Sequence, residues 1–358
     1  MKKLSILLIS LFLLGCHSSP SNWAKKDLVF IYNQLINNHP GIKDNKNPDF
    51  VKNLNIALKE TQNKLQTAHS DKKQQSILKA FANSFNDTHL GIYFYDEKQK
   101  KWDDKSTQIK ITKLPNQEYW ISLPTFIIST EKKQYIEQIA KELSSLKNCR
   151  KIIFDLRDNR GGDSTWGSKL IQELFGKTYY MSHKQKHEKN ISVDWRASQE
   201  NLNHIKKICQ KNLKLFGKNN KEYLSWSAIF EGVKAALKNN LPYYTEKQSE
   251  ITPDSNVPNS VTAKIFVIID KNCVSACLDF IDELYYMDYP ITLIGQETKS
   301  DSLYMDIRGK QLPSKKGDFY FPMKVYRNRP RGNNQPYKPD IYANTSNKDE
   351  LKKIIMQR

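Results

Sequence analysis

Lys151-Ile152-Ile153-Phe154-Asp155-Leu156-Arg157-Asp158-Asn159-Arg160-Gly161-Gly162 reads as an apolar run that ends in a charged turn closed by two glycines. A short run of β-branched and aromatic residues without polar alternation is the pattern of a strand buried on both faces, as in a parallel sheet. A second such run, Ala263-Lys264-Ile265-Phe266-Val267-Ile268-Ile269-Asp270, leads through Asn272-Cys273-Val274-Ser275-Ala276-Cys277 into Leu278, Phe280, Ile281, Leu284 and Tyr285, which recur at helical spacing. Ser275 therefore stands where a strand turns into a helix. The first N–H groups of a helix have no intrahelical partner, so an anion formed there gains from those donors and from the helix dipole. Serine also commonly caps helices at this position, and the local sequence leaves nucleophile and cap as alternatives.

Gly161-Gly162 permits backbone conformations closed to residues with a side chain. The pair suits either an ordinary strand-to-helix turn or a loop of N–H donors aimed at an oxyanion. Taken with Asp87-Thr88-His89 far upstream, the two segments point to a serine nucleophile and a glycine backbone loop, the equipment of an acyl-transfer hydrolase.

Strands such as Tyr119-Trp120-Ile121-Ser122-Leu123 alternate from Gly91 onward with helical stretches at 135–146 and 165–175, which predicts a mainly parallel α/β core. Ahead of it, three groups recur at helical spacing: Leu28, Ile31, Leu35 and Ile36; Leu54, Ala57 and Leu58; and Ile77, Leu78, Phe81, Ala82 and Phe85. They predict a small helical bundle over residues 23–86. Residues 178–250 are lysine-rich and mostly helical in pattern, and read as an insertion placed to cover a cleft.

The order Asp-Leu-Arg-x-Asn-x-Gly-Gly at 155–162, then a strand, Ser275-Ala276 and a helix, then Gly295-Gln296-Glu297-Thr298, resembles peptidase family S41. That family includes tail-specific C-terminal processing proteases, tricorn-type proteases and the interphotoreceptor retinoid-binding protein modules. The resemblance runs over residues 25–345, with a poorly matched stretch near 180–250. It implies a ClpP/crotonase-like α/β core, Ser275 as nucleophile, the Ala276 N–H as one oxyanion donor and Gly161 or Gly162 as the other. It also implies a peptide or protein substrate and no cofactor or metal.

Tail-specific members take their base from a lysine in a Gly-x-x-Thr-x-Gly-Lys segment; here Asp301 stands where that lysine would be and Lys299 comes two positions early, so a serine–lysine dyad is not expected. Those members also carry a PDZ domain, for which the chain between His89 and the strand at 119 leaves no room. Tricorn-type members use a histidine base from the N-terminal region, oriented by a neighbouring hydroxyl. The resemblance thus implies His89 as base and Thr88 as its orienting hydroxyl, with a packing histidine as the alternative. An imidazole with a pKa of about 6.5 can take a serine proton near neutral pH. Asn333 stands near the place of the orienting carboxylate, leaving Asp301 or Asp306 to substitute. A second reading keeps the fold without the chemistry: a non-catalytic ligand-binding or scaffold protein, as among the retinoid-binding relatives.

Lys2-Lys3, an apolar run at 4–14 too short to span a bilayer, and Leu13-Leu14-Gly15-Cys16 form a secretory signal ending in a lipobox-like site. Resemblance to bacterial lipoproteins implies an acylated Cys16 as first mature residue, and His17 after it resembles outer-membrane sorting. The expectation is an outer-membrane lipoprotein facing the periplasm; ordinary secretory cleavage is the alternative. The 358-residue chain is long enough for about two domains. It divides into a signal at 1–15, a helical domain at 16–90, the core at 91–345 and a tail at 346–358.

A formal net charge of +19 can suit nucleic acid. The lysines are instead spread through polar segments such as 98–105 and 183–189 without a nucleic-acid motif, so the expected partners are anionic membrane or cell-wall surfaces, not nucleic acid. Cys149, Cys209, Cys273 and Cys277 remain after Cys16. An exported location permits disulfides, yet Cys273 and Cys277 beside Ser275 read as small packing residues. His183 and His187 lack partner ligands for a metal and read as part of a solvated loop. Arg327, Arg329 and Arg331 alternate after an apolar strand; they suit bidentate binding of a substrate carboxylate, or a charged edge that discourages aggregation.

Overall fold

Pairing of two buried strands sets the architecture. The computed structural model describes residues 23–95, 109–129, 133–247 and 257–358. In it β4 (Lys151–Asp155) and β7 (Lys264–Ile269) run parallel, with Asp155 opposite Ile268. Around them β2 (Lys110–Leu114), β3 (Glu118–Ser122), β8 (Ile291–Gly295) and β11 (Ile341–Tyr342) complete a sheet of order β11-β8-β7-β4-β3-β2. All its pairings are parallel except β2 with β3. Both faces are covered, as the unbroken apolar runs require. Ile152 and Phe154 pack under α4 (Lys133–Leu143), α5 (Ser164–Phe175) and α9 (Ala276–Tyr286). Ile153 packs on the opposite face with Trp120, Phe266, Leu351 and Ile355.

Leu351 and Ile355 belong to α10 (Lys348–Met356), so the segment expected as a tail at 346–358 holds a helix that closes the sheet. Inside that closure Lys151 is almost fully buried, with its ammonium 3.1 Å from Glu118 Oε1 and donating to the Ile355 carbonyl at 2.8 Å.

The second sheet is antiparallel and was not foreseen. Its centre is β10 (Gly317–Arg327), flanked by β1 (Gly91–Phe94), β5 (Ser192–Arg196) and β9 (Tyr304–Gln311), with β6 (Tyr243–Lys247) outside β5. β5 and β6 come from the insertion, which also contributes α6 (Lys177–Glu188), α7 (Gln199–Phe216) and α8 (Lys221–Lys238). The insertion is therefore helical only in part: Trp195 and Val193 of β5 share a core with Ile205, Val233 and Met323. His183 and His187 lie on α6 rather than in a loop, and His187 Nε2 sits 2.9 Å from Asp288 Oδ1.

The expected N-terminal helices appear as α1 (Trp23–Asn38), α2 (Asp49–Gln66) and α3 (Asp71–Asn83). Their core residues Leu28, Ile31, Leu35, Leu78 and Phe81 are continuous with Phe94, Phe319 and Phe321 of the antiparallel sheet. Cys16 and the lysines at 98–105 lie outside the described residues. No helix among the described residues is long and apolar enough to cross a membrane.

The Lys151–Glu118 pair carries a measurable consequence. Removing one partner of a buried pair strands the other charge, whereas replacing both with apolar residues does not. Glu118→Ala should destabilise the fold by about 3 kcal/mol in urea unfolding, and the double variant Glu118→Leu/Lys151→Met by clearly less. Equal losses for the two would show that the charge pair is not the cause.

Candidate active site

The loops after β4 and β7 emerge side by side at the carboxyl ends of the two central strands, and their buried polar residues satisfy backbone groups or a neighbouring charge. Asp155 accepts Arg157 Nε at 2.8 Å and Nη2 at 2.6 Å, and Trp120 Nε1 at 3.0 Å. Asn159, fully buried, donates to the Leu123 carbonyl at 2.7 Å and accepts the Gly161 N–H at 2.9 Å. Asp270 stitches the two loops together: its oxygens accept the Asp158 N–H at 3.0 Å and the Asn272 N–H at 2.9 Å.

This stitching presses Gly161 against Ser275. A Cβ on Gly161 would stand 2.8 Å from Ser275 Cβ and from the Val274 carbonyl, and 3.0 Å from the Ala276 nitrogen, and its φ is +87°. Gly162, at φ +135°, has still less room, because a Cβ there would lie 2.2 Å from the Phe126 carbonyl carbon. The chain then enters α5, whose N-cap Asp163 accepts the Thr165 N–H.

Ser275 itself has φ 59° and ψ −127°, and its side chain makes no capping bond to α9. The cap alternative is thereby set aside. A non-glycine residue in this region costs about 1–3 kcal/mol, and such strain clusters at functional sites. The Ala276 N–H, first in the helix, has no acceptor among the described residues. The two glycines differ as donors. Gly161 N–H is engaged by Asn159, while Gly162 is joined to Phe126 through the Gly161 carbonyl and the Asp163 N–H, and its own N–H has no acceptor among the described residues.

Cys273 and Cys277 form a disulfide rather than serving only as packing residues. The turn at Ser275 brings their Cα atoms to 5.4 Å, within bridging range. The bridge ties the second residue before the serine to the second after it.

Asp87-Thr88-His89 follows α3 and contacts the segment after β8. Thr88 Oγ1 donates to Asp301 Oδ1 at 3.4 Å, so this hydroxyl is turned to Asp301 and not to the imidazole. Asp301 is fully buried, with its other oxygen 3.6 Å from Arg331 Nη1. Asp306 pairs instead with Lys324 at 2.7 Å, and Asn333 accepts the Leu303 N–H. Neither expected carboxylate stands beside His89. The one that does is Asp87, with Oδ1 3.9 Å from His89 Nδ1. Lys299 is exposed, and its N–H donates to the Cys273 carbonyl at 3.1 Å.

The three arginines pair with the protein's own carboxylates, and Arg327 ends the central strand of its sheet rather than an edge strand. Arg327 donates to Asp194 at 2.6 Å and Asp44 at 2.9 Å. Arg331 Nε donates to Asp282 at 3.0 Å, and Arg329 pins both Asp279 and Asp282. Asp279 lies one turn after Ser275, so the segment that follows β10 is fastened to α9.

Two cavities flank this arrangement. One of about 760 Å³ opens at the strand ends and is lined by Ser122, Asp155, Asp158, Asp270 and Asn272, where ligands of parallel sheets commonly sit. The other, about 370 Å³, lies beside the first turn of α9 between Thr165, Glu188, Asp279, Tyr326 and Arg329. Its α6 wall comes from the insertion. There burial pushes the Glu188 carboxyl up to about 7 against the pull of Lys184. Among the described residues no cluster of His, Cys, Asp and Glu is arranged to hold a metal ion.

The profile of peptidase family S41 matches residues 119–342. Mature CPAF superposes with a TM-score of 0.55 at 12% identity, covering 90% of this chain and 92% of that one. CPAF complexed with lactacystin gives 0.56 at 12% identity, covering 94% and 98%. A lipoprotein from Streptococcus agalactiae gives 0.45 at 11% identity, covering 98% of each chain. The CPAF likeness, at these identities, is one of fold. No curated protein matches the sequence.

The disulfide can be tested directly. Alkylation of the unfolded protein without reductant should modify Cys149 and Cys209, which are free, and spare Cys273 and Cys277, which peptide mapping should recover joined. Alkylation of Cys273 and Cys277 under those conditions would refute the bridge.

Proposed function

The chain belongs to peptidase family S41, and we propose that it is a serine peptidase that cleaves peptide bonds through an acyl-enzyme on Ser275. The observation that carries this reading is the strained, uncapped Ser275 pressed against Gly161 with an unengaged Ala276 N–H beside it. His89 acts as the base. As Ser275 Oγ bonds to the scissile carbonyl carbon, its proton passes to His89 Nε2 and the carbonyl electron pair moves onto oxygen. The N–H groups of Ala276 and Gly162 receive that oxyanion. Collapse of the intermediate expels the amine, which takes the proton from His89, and water then repeats the sequence on the acyl-enzyme.

The protein works on peptides or proteins at the periplasmic face of the outer membrane, anchored through an acylated Cys16. The lipobox-like sequence supports this placement, and a disulfide at Cys273–Cys277 fits an oxidising compartment. A non-catalytic ligand-binding role is the second reading, favoured by the 3.9 Å gap between His89 and its nearest carboxylate. Backbone strain at Ser275 weighs against it, because a pure binding protein has no use for that cost.

A fluorophosphonate probe should label the wild type at Ser275. Ser275→Ala and His89→Ala should each lower peptide hydrolysis by roughly 10³-fold or more, and the double variant little further, because members of a catalytic unit are not additive. Lys299→Ala should stay within about twofold of wild type, as expected of a side chain outside the proton path. An inactive Lys299→Ala beside an active His89→Ala would mean that the base is misassigned. For the anchor, Cys16→Ala should move the protein from the membrane to the soluble fraction; wild-type protein with an unmodified N-terminus would reject lipidation.

A further inference from the structure

Asp87 directs its two oxygens at two histidines. Oδ1 accepts the His89 backbone N–H at 2.9 Å and the Ser302 hydroxyl at 2.7 Å, and lies 3.9 Å from His89 Nδ1. Oδ2 faces His39 Nε2 at 3.5 Å. His39 is fully buried, stacked on Phe50 with ring centroids 4.6 Å apart and met edge-on by Tyr304. Its Nδ1 accepts the Gly41 N–H at 2.9 Å, which in a neutral ring leaves the proton on Nε2, the nitrogen facing Asp87. Loss of solvation depresses the His39 pKa below its ordinary value, outweighing the pull of Asp87 and Asp44, and so keeps the ring neutral.

His39 Nε2, Asp87 Oδ2 and His89 Nδ1 are all buried without a hydrogen-bond partner at these separations. Such orphans are costly unless they pair with one another, and catalytic hydrogen bonds in unliganded sites are often long and tighten on binding. Of the other charged groups nearby, Asp44 takes the Tyr304 hydroxyl and Arg327, and Asp301 takes the Thr88 hydroxyl on Oδ1 while its Oδ2 faces Arg331 at 3.6 Å without a hydrogen bond.

We propose that Asp87 is the positioning carboxylate of the site, holding His89 as the Nδ1–H tautomer with Nε2 free for Ser275, and that His39 steadies Asp87 from behind. The assignment rests on the Ser275–His89 reading above. During acyl transfer the serine proton moves to His89 Nε2, while Nδ1–H stays on the ring. Asp87 remains ionised and stabilises the imidazolium.

The test uses the full-length protein labelled with [¹⁵N]histidine, in which long-range ¹H–¹⁵N spectra assign the tautomer of each ring. His39 should appear as Nε2–H and His89 as Nδ1–H. Asp87→Asn keeps the size of the side chain but removes the charge; it should abolish the Nδ1–H preference of His89 and slow fluorophosphonate labelling of Ser275 by roughly 10²- to 10⁴-fold. His39→Gln should slow labelling by about tenfold, the scale of a partner acting through another residue. A wild-type His89 found as Nε2–H overturns the proposal. So does an Asp87→Asn protein whose His89 tautomer and labelling rate are both unchanged. A wild type that the probe never labels overturns the acyl-transfer reading alone, and the imidazole spectra then still decide whether Asp87 sets the His89 tautomer.

Discussion

The contact between Gly161 and Ser275 leaves no space for a methyl group, and the rest of the site follows from keeping it closed. Two loops from adjacent parallel strands must approach at the strands' carboxyl ends, yet each brings polar backbone that buried surroundings would leave unpaired. Asn159 and Asp270 remove that penalty by accepting the N–H groups of Gly161, Asp158 and Asn272. The disulfide fastens the turn on the Ser275 side. A serine at positive φ persists only where its surroundings over-determine it, and these ties supply that over-determination.

Charge provides a second layer of fastening. Asp279 and Asp282 on α9 are gripped by Arg329 and Arg331, and Asp282 also accepts the Tyr337 hydroxyl. Buried ion pairs of this kind contribute less to stability than to uniqueness of arrangement, since desolvation offsets much of their attraction. Their effect here is registration: the turn after β10 that carries both arginines is held in one position against the helix that Ser275 begins.

The parallel core was legible because β4 and β7 are buried on both faces, which leaves an apolar run with no polar interruption. The antiparallel sheet was not. β10 alternates buried and half-exposed residues, but β5 and β6 are short and sit within a lysine-rich stretch whose helical periodicity dominates. The glycine loop and Ser275 could be read from local order along the chain. The roles of the arginines could not, since Asp44, Asp194, Asp279 and Asp282 reach them from distant segments. Asp87 was in view within Asp87-Thr88-His89, two residues from the imidazole. His39 carried no signal beyond one more residue after an amphipathic helix.

The candidate base and nucleophile belong to different packing units, and this gives the site an uneven vulnerability. Ser275 is set into the parallel core, tied by backbone pairing and a covalent bridge. His89 hangs on the seam where the N-terminal helices join the antiparallel sheet, and its links to the core run through single side chains: Thr88 to Asp301, Ser302 to Asp87 and Asn334 to the Asn86 carbonyl. Local opening follows the weaker contacts first. Fluctuation at the seam would therefore displace the imidazole while the strained serine stayed in place, so the His89 side is the more fragile half of this candidate site.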